Sequence, residues 1–403
     1  MAVINLTGQD GIADGSHILA RSPVTLSVTD GTMAASFRAL GSFDIFIWTG
    51  SKASKPASAN YTLTTYGATP EQFFRPTWTI DAGDYIRDFI KTEVGYNDTP
   101  SGTTPAVWVA YEFLASDALN SYTYTSPTAA AFLGYVNYQE GWSGSERFVT
   151  DFLQSHPDHV YFSDNLDYIL RASRLGYSGG TAINVAEFSF TNQRTNNTYT
   201  SSNSPNTIST GLTKNNSWGV TLMASLSVPV SEYYDTFSYK VVYNISGGGT
   251  ADGVERLITM TEQCRQPDGK LSFFNQKGTL QDVILRGRID KTKNVERTVY
   301  NDAGVYDPWQ LSYASTRHMD ATLRAQGNYT FAVNTDWIDA SHNTAIEEML
   351  LSERVWLTDT DGTVYPVVIQ DVQDKEFNSY WDKQVNKTFI LKAATPIINN
   401  IGV

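Results

Sequence analysis

The chain has 403 residues, with 29 Lys and Arg against 42 Asp and Glu, a formal net charge of −13 at pH 7. That length suggests two to four domains at about 100 to 200 residues each, and the acidity excludes a broad phosphate-binding surface unless positive charge is tightly localised. Hydrophobic residues make up 41%, aromatic residues 13% and charged residues only 18%, below the roughly 25% usual in soluble proteins, so wholesale disorder is excluded by the apolar surface available for burial.

Most of the readable pattern is β. Val24 to Val28, Phe43 to Trp48, Tyr61 to Tyr66 and Val107 to Phe113 predict strands, and the run Phe43 to Trp48 is apolar on nearly both parities, as in a strand covered on two faces. Between them, Asp81 reads as a helix N-cap, with Ile80 and Tyr85 spaced as a hydrophobic staple. Tyr85, Ile86, Phe89 and Ile90 share one face of a helix predicted from Ala82 to Lys91, lying on a sheet. The Gly-, Pro-, Thr- and Ser-rich stretch Asn97 to Pro105 reads as a long loop inside the first domain.

Residues 134–180 show mixed short apolar segments without an assignable pattern. From Thr191 to Ser217 the only charges are Arg194 and Lys214. This segment is too polar for a core and predicts a surface loop ordered only against a neighbour, with an idle excursion as the alternative. Tyr239, Val241, Tyr243 and Ile245 alternate with Ser238, Lys240, Asn244 and Ser246, a strand with one buried face that Gly247-Gly248-Gly249 ends. Val283, Leu285 and Ile289 oppose Arg286, Arg288 and Asp290 in parity, which predicts another half-buried strand.

A second helix is predicted near Thr344 to Leu351. There Thr344 and Glu347 have capping-box spacing, and Ile346, Met349 and Leu350 form an apolar stripe. Strands at Val355 to Thr358 and Val364 to Gln370 follow. The chain therefore reads as two or three β-rich domains in series. Residues 1–155 carry the helix near 82–91, residues 156–293 hold the polar insertion 191–217, and residues 294–403 carry the helix near 344–351.

Candidate chemistry is sparse. The single Cys264 cannot form an internal disulfide or a multi-thiolate zinc site, and reads as packing. His156-Pro157-Asp158-His159 reads as a polar turn, because a His-Glu-x-x-His site needs a helix and a Glu, and Pro157 stands between the two His. His17, His318 and His342 are scattered. Asp359 to Thr363 lacks the third acidic ligand and closing Glu of a calcium loop, and predicts a hairpin turn in which Asp361-Gly362 supplies positive φ.

Ser312, His318 and Asp320 lack the strand-turn-helix context of a nucleophile elbow, and Gly247 to Gly249 lacks the Lys and helix of a phosphate loop. Glu112, Glu140, Asp164 and Asp167 sit among Tyr and Trp and could pair as glycosidase acids, but a chain this rich in both produces such neighbours by chance. The densest basic stretch, Lys291 to Arg297, includes Glu296 and reads as a solvated strand end, with a partner contact as the alternative. No catalytic, cofactor-binding or metal-ligating residue is assigned, no cofactor is expected, and nucleic acid is not an expected partner. The start has no basic residue before an apolar stretch, and no window approaches about 18 apolar residues, so cytosolic synthesis without membrane insertion is expected.

Several segments carry a family resemblance. Ser22 to Val28, Phe43 to Gly50 ending in Ile47-Trp48-Thr49-Gly50, Tyr61-Thr62-Leu63 and Tyr85 to Ile90 form one group at the start of the chain. Leu271-Ser272-Phe273-Phe274-Asn275-Gln276-Lys277-Gly278 leading to Asp282 follows in the middle. Thr335-Asp336-Trp337-Ile338, Glu347 to Glu353 and Tyr365-Pro366-Val367 come last. In this order they resemble structural tail proteins encoded by phages and prophages of Bacteroides-like and Flavobacterium-like bacteria. Residues 134–180 and 191–217 depart from that pattern.

The resemblance implies β-sandwich-like domains of the immunoglobulin or fibronectin-III kind, with a few short helices. It also implies a non-enzymatic component of the virion tail, at the baseplate, hub or tail tip, made in the bacterial cytoplasm. The implied partners are copies of itself in a ring-like homo-oligomer and other phage tail proteins. The low charge and spread aromatics suit such interfaces. The alternative is a tail-fibre or adhesin-type module binding host-surface glycans, through an exposed Trp such as Trp142 or Trp218.

Overall fold

The computed structural model describes residues 3–7, 17–29, 40–67, 77–92, 106–116, 121–126, 128–135, 157–166, 168–173, 175–178, 181–201, 213–218, 220–245, 250–262, 268–301, 320–370 and 384–398. Their structure is mainly β, with several sheets and few short helices, in keeping with sandwich-like domains. The chain divides into two compact units built from separate stretches. One comprises Met1–Arg265, Ser272–Val283 and Ser341–Glu353, the other Gln266–Leu271, Ile284–Ala340 and Arg354–Val403.

In the first unit, a sheet runs in the order His17–Leu19, Ala129–Phe132, Ala106–Ser116, Leu40–Trp48, Tyr61–Tyr66, and Ser121–Thr125 pairs with Ala106–Ser116. Leu40–Trp48 and Ala106–Ser116 are antiparallel with Ile45 opposite Tyr111, which puts Phe43, Ile45 and Ile47 on one face with Val107, Val109, Tyr111 and Phe113. That face packs on Leu26, Val28 and Trp78 of a three-stranded sheet, Val3–Thr7, Thr25–Thr29, Thr77–Asp81, and on a helix at Gly83–Thr92. On the opposite face Phe46, Trp48, Trp108, Ala110, Ala130 and Phe132 form a smaller core. The two-faced apolar run of Phe43 to Trp48 is thus covered on both sides, as its sequence predicts.

Asp81 caps the helix as expected, its Oδ1 accepting from the Gly83 N–H at 2.9 Å and the Val24 N–H at 3.1 Å. Ile86 and Ile90 are fully buried. Tyr85 does not join them: it is 36% exposed and rests on Tyr61, with ring centroids 5.3 Å apart. At 100° per residue it falls at the margin of the stripe centred on Ile86 and Ile90, where a tyrosine keeps its hydroxyl wet.

Residues 134–180 contribute strands His159–Ser163, Tyr168–Ser173 and Leu175–Ser178, and residues 136–156 lie outside the described residues. Thr181–Asn192 pairs antiparallel with Thr236–Ile245, which pairs with Arg256–Thr261, and His159–Ser163 adds parallel to that strand. Phe188, Phe190, Phe237, Tyr239 and Val241 are buried along this sheet.

The second helix, Asn343–Leu350, groups with the first unit and buries Ile346 and Met349. The expected capping box is absent: His342 is the N-cap, with αR backbone and no side-chain capping bond, and Thr344 lies inside the helix. The chain enters from a 3-10 turn at Ala340–His342, so no extended residue precedes the helix to place a capping hydroxyl. Beyond its C-terminal end, Arg21 donates to the Leu351 carbonyl at 3.3 Å, pairs with Glu353 at 3.2 Å and lies 4.7 Å over the Tyr135 ring. A cation is favoured at that end of a helix.

In the second unit the strands run Val355–Thr358, Val364–Ile369, Gln384–Ala393, Asp320–Asp339, Ile289–Asn301. Register places Phe331 opposite Leu391 and Val333 opposite Phe389, and these join Val355, Leu357 and Val367 on a buried face. Val368 and Ile390 sit on the solvated one.

The single half-buried strand expected around Val283 to Asp290 is instead two strands, Leu280–Leu285 and Ile289–Asn301. Between them Gly287 donates to the Asn334 carbonyl at 3.1 Å, and a Cβ there would stand 2.5 to 2.8 Å from Asn334 atoms. Leu280–Leu285 and Gly269–Phe274 are buried at every position. Their polar residues face partners rather than water: Ser272 donates to Asp282 at 2.6 Å, and Asn275 to Gln281 at 3.2 Å.

Candidate functional site

Among the described residues, those considered for catalysis or metal binding are dispersed. His159 opens its strand with Nε2 2.8 Å from Thr259 Oγ1 and its ring stacked on Tyr161 at 4.0 Å, while Asp158 pairs with Arg256. His342 is buried in the 3-10 turn. Glu112 pairs with Lys55, whose ammonium lies 3.8 Å from the Phe46 ring centre, and Asp164 accepts from the Tyr234 hydroxyl at 3.1 Å, which raises that tyrosine's pKa. No three His, Cys, Asp or Glu side chains gather to hold a metal among the described residues.

Glu140, Trp142, His156, Asp167, Gly247 to Gly249, Cys264, Ser312 and His318 lie outside the described residues. Asp359 to Thr363 is the predicted hairpin turn. Gly362 has φ +82° and donates to the Asp359 carbonyl at 2.9 Å, and Asp361 Oδ1 accepts the Thr363 N–H at 2.8 Å, which holds the Asp361 carboxyl below its ordinary range.

The polar segment from Thr191 corrects the expectation of a loop ordered only by a neighbour. Thr181–Asn192 and Thr198–Ser201 form a hairpin held by this chain's own side chains. Glu232, only 5% exposed, accepts from Asn192 Nδ2 at 3.0 Å, Asn197 Nδ2 at 3.1 Å and the Tyr199 hydroxyl at 3.0 Å. Asn192 Oδ1 accepts the Arg194 and Thr195 N–H groups at 2.8 and 3.1 Å, an Asx turn that sets the hairpin tip. Arg194 grips Asp235 through Nε at 3.0 Å and Nη2 at 2.8 Å, and these bonds hold the Asp235 carboxyl below its usual range. Residues 202–212 lie outside the described residues.

The surface features that stand out belong to the second unit. Ile289–Asn301 pairs with Asp320–Asp339 from Ile289 opposite Val333 to Asn301 opposite Asp320, with a bulge between Thr298 and Val299. All residues from Lys291 to Tyr300 are exposed, and Val295, Val299 and Tyr300 are 48–58% so. The basic stretch is solvated as predicted, but it is the middle of a long strand rather than its end. At the root, the Lys291 ammonium sits 4.5 Å from the Tyr329 ring centre and 4.4 Å from that of Tyr365, and donates to the Tyr365 hydroxyl, which raises the lysine's pKa. The root is thereby clamped; beyond it the outer strand is exposed through Tyr300, while on the inner strand Gly327 is buried and pairs, with Gln326, to Ile397 and Ile398.

A second feature is the bulge at Trp337. Register jumps between Asn334 and Trp337, and Asp336 takes φ +59°. Asn334 Oδ1 accepts the Asp336 N–H at 2.7 Å, and its Nδ2 donates to Asn386 at 2.7 Å and Thr388 at 2.8 Å. The bulge presents Trp337, 63% exposed, opposite Asn386. The sequence marks the ribbon only through the basic stretch Lys291 to Arg297, and no signal of composition or period marks the bulge. No known family matches this chain, and no curated protein matches it.

Proposed function

We propose that this chain is a non-enzymatic structural protein of a phage tail, at the baseplate, hub or tail tip, that works by assembling with copies of itself and with neighbouring tail proteins. The observation that carries the reading is the ribbon of Ile289–Asn301 and Asp320–Asp339, with ten consecutive exposed strand residues from Lys291 to Tyr300. Ile397 and Ile398 pair with Gly327 and Gln326 of the inner strand, whereas among the described residues no strand pairs with the outer edge of Ile289–Asn301; an exposed strand edge invites pairing, so this one gains most from a neighbour that covers it. A closed ring supplies that cover to every copy. The ordered segment resemblance adds the tail as the setting. Light scattering of the purified protein should give one discrete oligomer, and immunogold labelling should mark one position on tails; a monomer at every concentration that labels no particle would overturn the reading.

Trp337 favours a second reading, a module binding host-surface glycans. A bulge that holds a backbone outlier in order to re-aim one side chain is a feature of binding sites, and an indole flanked by Asp336 and Asn386 offers a stacking face beside polar partners. Trp337→Ala should then lower glycan-array binding at least tenfold, and an array without wild-type signal removes this reading.

A further inference from the structure

We infer that the rings of Tyr329, Phe331 and Tyr365 form a cation box for a quaternary ammonium group, which Lys291 of the same chain fills in its absence. The inference goes beyond the assembly reading and does not rest on it. Lys291 lies directly opposite Phe331, and Tyr329 stands two residues before Phe331 on the same face, so one strand pair brings an ammonium and two rings together. Tyr365, from Val364–Ile369, supplies the third wall. The ammonium stands 4.4 Å from the Tyr365 ring centre, 4.5 Å from that of Tyr329 and 5.8 Å from that of Phe331, all inside the roughly 6 Å over which a cation is drawn to a ring face. The walls hold one another. Phe331 is fully buried, the Tyr365 ring packs on it at 5.0 Å, and the Tyr329 ring meets each of the other two at 6.3 Å. The box therefore keeps its shape without help from Lys291.

Its chemistry suits that ligand better than the lysine it holds. A primary ammonium has three N–H donors, and here one is met among the described residues, by the Tyr365 hydroxyl. Asp359 and Asp361 act on the site by charge at longer range. A quaternary ammonium has no N–H to satisfy and presents methyl groups to the ring faces, and aromatic boxes of this kind are what proteins use to recognise it. Lys291 itself is exposed, so contacts that are weak at a wet site hold it in place, and its long stem lets the head swing into water as a ligand enters. While it stays, it competes as a tethered ligand at an effective concentration on the order of millimolar. The lysine thus sets the threshold that an incoming cation must pass.

The test follows saturation transfer from the full chain to the methyl protons of choline, titrated at constant ionic strength, with the uncharged isostere that carries carbon in place of the quaternary nitrogen as control. We expect the wild type to bind choline in the millimolar range and to leave the isostere free. Lys291→Ala removes the tethered competitor and should bind choline at least tenfold more tightly. Tyr365→Phe keeps the ring but takes the hydroxyl from Lys291, so it should tighten choline binding a few-fold. Lys293→Ala removes the next charge along the same face and should change little. Circular dichroism melts verify folding, and Tyr365→Phe reports on the same site should Lys291→Ala fail to fold. Choline that binds none of these proteins overturns the inference and leaves the rings as a clamp for Lys291. Equal binding of the isostere overturns it too, since the site is then merely apolar. So does an affinity that Lys291→Ala and Tyr365→Phe leave unchanged, or one that Lys293→Ala raises as much as Lys291→Ala, because the cation then sits elsewhere or responds to net charge alone. The assembly reading stands under every one of these results.

Discussion

Gly278→Ala is expected to destabilise the first unit by about 3 kcal/mol, from left-handed backbone strain of about 1 to 2 kcal/mol and overpacking of about 1 to 3 kcal/mol. Gly278 has φ +78°, and a Cβ there would stand 2.5 Å from the Gly134 nitrogen, 2.8 Å from Phe132 Cβ and 2.9 Å from the Leu133 nitrogen. None of these atoms is the far end of a flexible side chain that could swing away. The approach is reciprocal, since a Cβ on Gly134 would meet the Gln276 carbonyl oxygen at 2.5 Å. The same strands are tied by the Tyr135 N–H donating to that carbonyl at 2.8 Å. Asn275 fixes the turn from within, its Oδ1 accepting the Thr279 N–H at 2.9 Å and hydroxyl at 3.0 Å.

Gly362→Ala is the matched control. Gly362 has φ +82° with nothing within 4 Å of its missing Cβ, so that change should show the backbone strain alone. Hydrogen exchange at 132–135 and 275–279, with urea midpoints of both variants, measures the difference. Equal losses would show that the close approach around Gly278 has no energetic weight.

What could be read from the sequence was local. The Asp81 cap and the doubly covered run Phe43 to Trp48 were legible because a cap bond spans two residues and a buried strand declares itself in its own parity. The hairpin Gly269–Phe274 with Leu280–Leu285 was not, because its polar positions Ser272, Asn275, Gln281 and Asp282 look solvated until their mutual bonds are known. Polarity likewise made Thr191 to Ser201 resemble a loop, since the carboxylate that organises it, Glu232, arrives 33 to 40 residues later in the chain. Of the candidate surface, Val295 and Val299 have the same alternation whether or not a layer covers them. The Trp337 bulge depends on a register jump that no period encodes.

The second large effect is expected at Glu232. Glu232→Ala removes the acceptor shared by buried Asn192, half-buried Tyr199 and exposed Asn197, and an unmet buried donor costs about 1 to 3 kcal/mol while the wetter ones recover water, so a loss of about 2 to 3 kcal/mol is expected. Asn192 is fully buried, although it keeps a bond to Asp235 at 2.8 Å. Glu232→Gln should lose less, because its carbonyl oxygen can serve Asn192 and Tyr199 while its amide meets the Asn197 donor. Neighbouring Asp235 sets the acid limb: a carboxyl held below its unfolded pKa stabilises the fold above that pKa, about 3.9, and the contribution fades as pH falls through the lower folded value. Tyr199 sets the alkaline limb. Burial, then its bond to Glu232, raises its pKa, so its contribution is complete below the unfolded value of about 10 and fades as pH rises through the folded one. Asp235→Asn should therefore flatten the acid limb by losing already at pH 7 the stability that the wild type loses only on acidification, and leave the alkaline limb in place, while Glu232→Ala should lower stability at pH 7 and flatten the alkaline limb. Hydrogen exchange across 191–201 at pH 3, 7 and 10 separates these terms, and a Glu232→Ala hairpin protected like the wild type at pH 7 would mean that the segment is ordered by something other than its own side chains.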